Sequence, residues 1–191
     1  MTILVDTAVW PWRGRKWAHL ASDESYEELH EFACLIGKRR VGFQGDHYDV
    51  DEGQRSSAIE AGAAAVKSRD LVRRLRTSGL RKRARVPDWA ILRDGPGDLV
   101  SVRASVASSR HPGRTNILGA LDMSSETKGP SPTGSLEALV LGRADCLAVV
   151  LTPGLLGNEN HPVDTEVWRG FHQTGAPVTE FLAHTPPLGL S

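Results

Sequence analysis

The sequence has very little cysteine. Only Cys34 and Cys146 occur among 191 residues, and two distant thiols cannot build a metal–thiolate cage. Cys34 falls in a helical pattern and Cys146 in an apolar strand pattern, so both read as reduced, buried thiols, as a reducing compartment permits. Net charge is also missing. The 23 Lys and Arg residues balance the 23 Asp and Glu residues, so no global field draws the chain to nucleic acid or membrane. The longest apolar run, Cys146 to Leu151, is far too short to cross a bilayer. The opening Met1-Thr2-Ile3-Leu4-Val5-Asp6 lacks a basic start and a long apolar core, so no signal peptide is expected. These absences predict a soluble, cytoplasmic protein without a membrane partner. No P-loop, Gly-x-Gly-x-x-Gly run or Gly-x-Ser-x-Gly elbow occurs, and there are no internal repeats.

What is present is an ordinary globular composition, 40% hydrophobic and 24% charged. Ile3 to Val9 reads as a strand ending near Trp10-Pro11-Trp12. Ser25 and Glu28 have capping-box spacing, and Tyr26, Leu29, Phe32, Ala33 and Ile36 keep a helical face that Gly37 stops. Val41 and Phe43 suggest a second short strand, Gln54 to Ala61 a weaker helix, and Ala63 to Val66 a third strand. Ser68 then opens a helix carrying Leu71, Val72 and Leu75, with Arg73, Arg74 and Arg76 turned outward. Alternating strands and helices predict an α/β fold with a mostly parallel sheet and helices on both faces.

The basic stretch from Arg81 to Arg85 marks a boundary, with an α/β domain over 1–85 and a C-terminal extension or small second lobe over 86–191. Beyond it, Trp89 to Leu92, Leu99 to Val102 and Ile117 to Leu121 are strand-like, and Ser124 to Ser135 reads as a mobile loop. Leu136 to Leu141 is expected as helix, Cys146 to Thr152 as strand, Asp164 to Gln173 as helix and Val178 to Leu182 as strand.

The runs Val5-Asp6-Thr7-Ala8-Val9-Trp10-Pro11-Trp12-Arg13-Gly14-Arg15, Trp17-Ala18-His19-Leu20, Gly45-Asp46-His47-Tyr48-Asp49-Val50 and Ser68-Arg69-Asp70-Leu71-Val72-Arg73-Arg74-Leu75 carry a resemblance. Over about the first 80 residues the chain resembles a bacterial and phage family known as domain of unknown function 4031. The resemblance implies a domain and no mechanism.

In a parallel sheet, chemistry collects at the carboxyl ends of strands. Asp6 ends the first strand, Asp46 and Asp49 follow the second, and Asp70 follows the third. Asp6, Asp46, Asp49 and Asp70 are therefore candidate ligands for Mg²⁺ or Mn²⁺, which take oxygen donors and can activate water against a phosphodiester. The strand–Asp opening and the turn Lys67-Ser68-Arg69-Asp70-Leu71 are similar to PIN-like nucleases, although that family often places two acids in the turn and this chain has Asp70 alone. The candidate binding set is Trp10, Trp12, Arg13, Trp17, His19, His47, Tyr48, Arg69 and Arg73. Within it the tryptophans can stack on bases and the arginines can track phosphates. Each feature also has a plain structural explanation. Asp46 and Asp49 suit a turn, Asp70 suits a helix N-terminus, and the tryptophans suit a core or an interface.

A second reading rests on the last third. Its strand, loop, Asp164-Thr165-Glu166 and Gly175-Ala176-Pro177-Val178 resemble the closing half of nucleoside deoxyribosyltransferase-like and TIR-like folds. That resemblance implies a catalytic Glu166 acting on a ribosyl C–N bond, with Asp122 or Asp164 on sugar hydroxyls. The glycine-rich opening of deoxyribosyltransferases is absent from this chain. The functions in view are thus a metal-dependent hydrolase of a nucleotide or nucleic-acid phosphodiester, an N-ribosidase-like enzyme, and a non-catalytic nucleotide- or protein-binding module. The sequence leaves a homo-oligomer open.

Overall fold

A computed structural model describes residues 2–12, 14–82, 88–125, 135–155, 162, 164–171 and 175–185. The chain divides into two compact units, residues 1–86 and 87–191.

The first unit runs β1 (Ile3–Val5), β2 (Trp10–Trp12), β3 (Arg15–Ser22), α1 (Tyr26–Leu35), a 3₁₀ turn (Arg40–Gly42), β4 (Tyr48–Asp51), α2 (Glu52–Glu60), β5 (Ala64–Ala65) and α3 (Ser68–Thr77). Gly14, at φ 73°, lets the chain reverse between β2 and β3. Along β3 the side chains alternate. Ala18 and Leu20 join Ile3, Val5, Tyr48 and Val50 in a core against Leu29, Phe32 and Ala33 of α1 and Ala58 of α2. On the opposite face Leu4 and Ala21 pack against Leu71 and Leu75 of α3. Trp17 and His19 share that second face, which leaves His19 beside α3. Helix starts follow local capping. Ser25 accepts from the Glu28 backbone N–H, and Asp51 and Gln54 close a reciprocal box at the start of α2.

The expected mostly parallel sheet is corrected here. β3 pairs antiparallel with β2, β1 and β4, through Trp10↔Trp17, Val5↔Leu20 and His19↔Asp49. Only the two-residue β5 runs parallel to β1. The physical reason is the Gly14 hairpin. It returns the chain alongside β1 before α1 begins, so no right-handed βαβ crossover forms between the first two long strands. The strand expected at Val41 and Phe43 is a 3₁₀ turn with a single bridge, Phe43↔Tyr48, and the true strand β4 lies just beyond it.

The second unit comprises β6 (Ala90–Gly97), α4 (Leu99–Ser108), α5 (Arg114–Ser125), β7 (Leu136–Arg143), β8 (Cys146–Thr152), β9 (Thr165–Phe171) and β10 (Pro177–His184). Its sheet has the order β6-β7-β8-β10-β9 and every pairing is antiparallel. Two expected helices are strands. The 136–141 segment has helix-favouring residues, but it pairs with β8 across a tight turn that sets Arg143 opposite Cys146. Within the 164–173 segment, Thr165–Phe171 forms β9. Two expected strands are helices. Asp98 and Ser101 form a capping box that starts α4 over Leu99. Ile117, Ala120 and Leu121 keep helical spacing in α5 and pack with Val102 and Val106 on Leu147, Val149, Leu151 and Phe181. Most of the expected loop at 124–135 lies outside the described residues.

Leu20 is fully buried in β3, whereas Leu35 is 72% exposed on α1. Leu20→Ala is expected to lower stability by about 2–5 kcal/mol and Leu35→Ala by less than about 0.5 kcal/mol, measured by urea unfolding followed by far-UV circular dichroism. Equal losses from the two would contradict this packing.

Candidate functional site

The site is built on the α3 side of β3, on the part of that face where Trp17 and His19 lie beside the helix. Asp6 follows β1 and is 1% exposed. Its Oδ1 accepts from the His19 backbone N–H at 2.7 Å, and its Oδ2 lies 2.9 Å from His19 Nδ1. The Asp6 backbone carbonyl accepts from Arg55 Nε at 2.6 Å. Burial pushes the Asp6 carboxyl up, but hydrogen bonds from His19 and Ser68 outweigh it and hold the group below the usual carboxylate range.

Gly45, at φ 92°, turns the chain into Asp46. Asp46 is equally buried and fully engaged. Oδ1 meets His47 Nδ1 at 2.6 Å, while Oδ2 accepts from Arg81 at 2.7 Å and from the Lys82 backbone N–H at 2.8 Å. Here too burial raises the carboxyl and the bonds from His47, Lys82 and Arg81 prevail, so Asp46 titrates low.

Two Asp–His pairs thus stand side by side, with the His19 and His47 rings 5.0 Å apart edge to face. Each aspartate occupies Nδ1 of its histidine, which leaves Nε2 for the outside. Asp49, directly opposite His19 in the β3–β4 register, completes the group, with Oδ1 3.4 Å from His47 Nε2. One ligand atom from each of His19, His47 and Asp49 falls within 4.8 Å of the others. Asp49 Oδ1 is closed off from solvent and accepts no well-formed hydrogen bond. The side chains of His19, His47 and Asp49 are 37%, 20% and 27% exposed, so the cluster opens to solvent. Burial pushes the His47 imidazole down, and Asp46 and Asp49 more than reverse this, raising it to about 9. Burial likewise pushes Asp49 up, but its pairing with His47 outweighs this and holds the carboxyl below the usual carboxylate range.

The surroundings are aromatic and basic. Trp10 is half exposed and lies nearly parallel to the His19 ring, 19° between planes and 6.1 Å between centroids. Lys38 extends over the Trp17 ring at 5.6 Å. Its burial depresses the ammonium against the opposing pull of Asp49 and Asp51. Arg15 pairs with Asp51 at 2.7 Å.

The structure therefore brings together Asp6, Asp46, Asp49, His19, His47, Trp10 and Trp17, in roles that differ from those expected. Asp6 and Asp46 back the histidines, and the outward donors are His19, His47 and Asp49. Asp70 lies apart in the first turn of α3, paired with Arg73 at 3.1 Å. Tyr48 is fully buried, with its hydroxyl 2.8 Å from His30 Nδ1, so it is core. Arg69 and Arg73 are exposed on α3. Arg13 and the Trp12 side chain lie outside the described residues. Sequence reasoning missed Lys38, which a Gly-Lys pair after a helix does not announce. It also missed Arg81 as a partner of Asp46.

Glu166 belongs to the second unit and opens no helix. It sits on β9 and accepts from Trp168 Nε1 at 3.1 Å, while His184 Nε2 of β10 lies 3.0 Å away. The geometry assumed for an N-ribosidase glutamate is absent. His184 is held at about 10 by its bonds with Cys146 and Glu166, against burial. A folded value above the ordinary 6.5 means that the stabilisation is complete below pH 6.5 and fades as pH rises toward 10. The stability difference between wild type and His184→Gln should shrink over that interval, from no more than about 1 kcal/mol for so exposed a pair, in urea titrations at stepped pH. A difference that does not change with pH would contradict the pairing.

No curated protein and no solved structure matches the chain, so the PIN-like and deoxyribosyltransferase-like resemblances rest on their motifs alone. No helix among the described residues is long and apolar enough to cross a membrane. Residues 3–78, which carry Asp6, His19, Asp46, His47, Asp49 and all of α3, match the family model described as Protein of unknown function (DUF4031).

Proposed function

We propose that the first unit holds one divalent transition cation on His19, His47 and Asp49 and hydrolyses a phosphodiester of a nucleotide or nucleic acid. The observation that carries this reading is the convergence of two imidazoles and a carboxylate, each imidazole backed by a buried aspartate. Histidines that ligate metals typically give their other ring N–H to such a carboxylate, which fixes the tautomer and raises ligand basicity. The 3.4 Å between His47 Nε2 and Asp49 Oδ1 is close to what two donors at about 2.1 Å from a tetrahedral ion require.

Two imidazoles shift the expected metal away from Mg²⁺ or Mn²⁺, which prefer oxygen, toward Zn²⁺ or Fe²⁺. Three protein donors leave a coordination position open, as in catalytic rather than structural zinc sites. A cation there supplies a Lewis acid for a phosphoryl oxygen and lowers the pKa of a bound water. The chain's own part is positional. Asp6 and Asp46 orient the imidazoles, and Trp10 offers a half-exposed stacking surface beside His19.

Chelator-competition titration should find one Zn²⁺ equivalent on the wild type and a loss of at least about 100-fold in affinity in His19→Ala and His47→Ala. Asp6→Asn, which removes only a backing carboxylate, should lose about 10–100-fold. Turnover of bis(p-nitrophenyl) phosphate should require the metal and stop with the histidine variants. Unchanged affinity in both histidine variants contradicts the site. Tight metal binding without turnover contradicts the hydrolase and leaves the non-catalytic module.

A further inference from the structure

The helix α3 carries its charge unevenly. Its buried edge is Leu71 and Leu75. Arg69, Arg73 and Arg76 follow at i, i+4 and i+7 and so share the opposite, exposed face. Together with Ser68, Val72 and Thr77 they line a shallow groove of about 520 Å³. Arg74 is drawn off this face by Asp23, at 2.6 Å, and Arg73 is answered by Asp70. Arg69 and Arg76 have no acidic partner among the described residues. A chain with no net charge thus concentrates guanidinium groups along about 10 Å of one helix.

Both ends of α3 lead to the histidine cluster. At its start, the Ser68 hydroxyl hydrogen-bonds Asp6, the residue behind His19. Just past its end, Arg81 and Lys82 grip Asp46, the residue behind His47. On the far side of His19 lies the open face of Trp10. We infer that the groove on α3 binds the phosphates of a single-stranded nucleic acid and leads that strand to His19, His47 and Asp49. The inference rests on the hydrolase reading for what happens at the cluster, and narrows its substrate from any phosphodiester to a polynucleotide strand. Guanidinium groups at helical spacing match successive phosphates without reading sequence. Trp10 selects the single strand, because only an unpaired base can stack on an isolated indole.

The test is fluorescence anisotropy of a labelled twelve-residue oligothymidylate with the full chain in chelator, so that strand binding is read without metal. Three phosphate contacts predict a log–log salt slope of about −2. Arg69→Ala with Arg76→Ala should weaken binding at least about tenfold and bring the slope to about −0.7. The change keeps helix propensity high, so folding is not at risk. Arg110→Ala with Arg114→Ala removes the same charge from exposed positions of the second unit and should change neither quantity. Trp10→Ala should cost at least about fivefold. Equal losses from the two double variants overturn the inference. So does a blunt duplex bound as tightly as the single strand, or thymidine monophosphate bound as tightly as the oligomer. A wild-type protein that binds the oligomer but no Zn²⁺ supports the track while the metal reading fails. A protein that binds Zn²⁺ and ignores the oligomer overturns the track and leaves the metal reading standing.

Discussion

The contact between Asp6 and His19 governs the rest of the first unit. One carboxylate takes the His19 backbone N–H and the His19 ring together, so the same group pins the end of β1 to β3 and sets the imidazole's tautomer. Fold and site are thereby coupled. The antiparallel pairing of β1 with β3 puts His19 beside Asp6, and the pairing of β3 with β4 puts Asp49 opposite His19. A parallel sheet would have placed these residues on separate strand ends with helices between them.

Burial alone would drive these carboxyls toward the neutral form, because an uncompensated buried charge costs several kcal/mol. They remain anionic because each has dedicated donors. His19 and Ser68 serve Asp6, while His47, Arg81 and the Lys82 amide serve Asp46. That degree of satisfaction is what disqualifies Asp6 and Asp46 as direct ligands for a hard cation, since their oxygens are already taken. Asp49 is the exception, with an oxygen that has no well-formed bond and that lies 3.4 Å from His47 Nε2, and it is the carboxylate that groups with the two histidines.

Much of this was legible in the residues, though often in the wrong role. Ser25, Glu28 and Gly37 announced α1, and Leu71 and Leu75 announced α3, because capping and helical periodicity are local properties. Asp6, Asp46, His47 and Asp49 stood out as a chemical set from their types and spacing. The sheet direction was not legible. It hangs on Gly14 and on an eight-residue strand, Arg15–Ser22, whose charged start hides its alternation. The second unit was misread where propensity and tertiary context oppose each other. Leu136 to Leu141 favours a helix until a tight turn pairs it with β8, and Ile117 to Leu121 looks like a strand until its i, i+3, i+4 spacing is laid on the sheet.

The account turns on nitrogen donors held ready by aspartates. X-ray absorption at the zinc edge of protein loaded with one equivalent addresses this directly, since imidazole rings add outer-shell scattering that carboxylates lack. Two imidazole nitrogens and at least one oxygen at about 2.0–2.2 Å are the predicted result. A shell made of oxygen alone, without imidazole scattering, would contradict it.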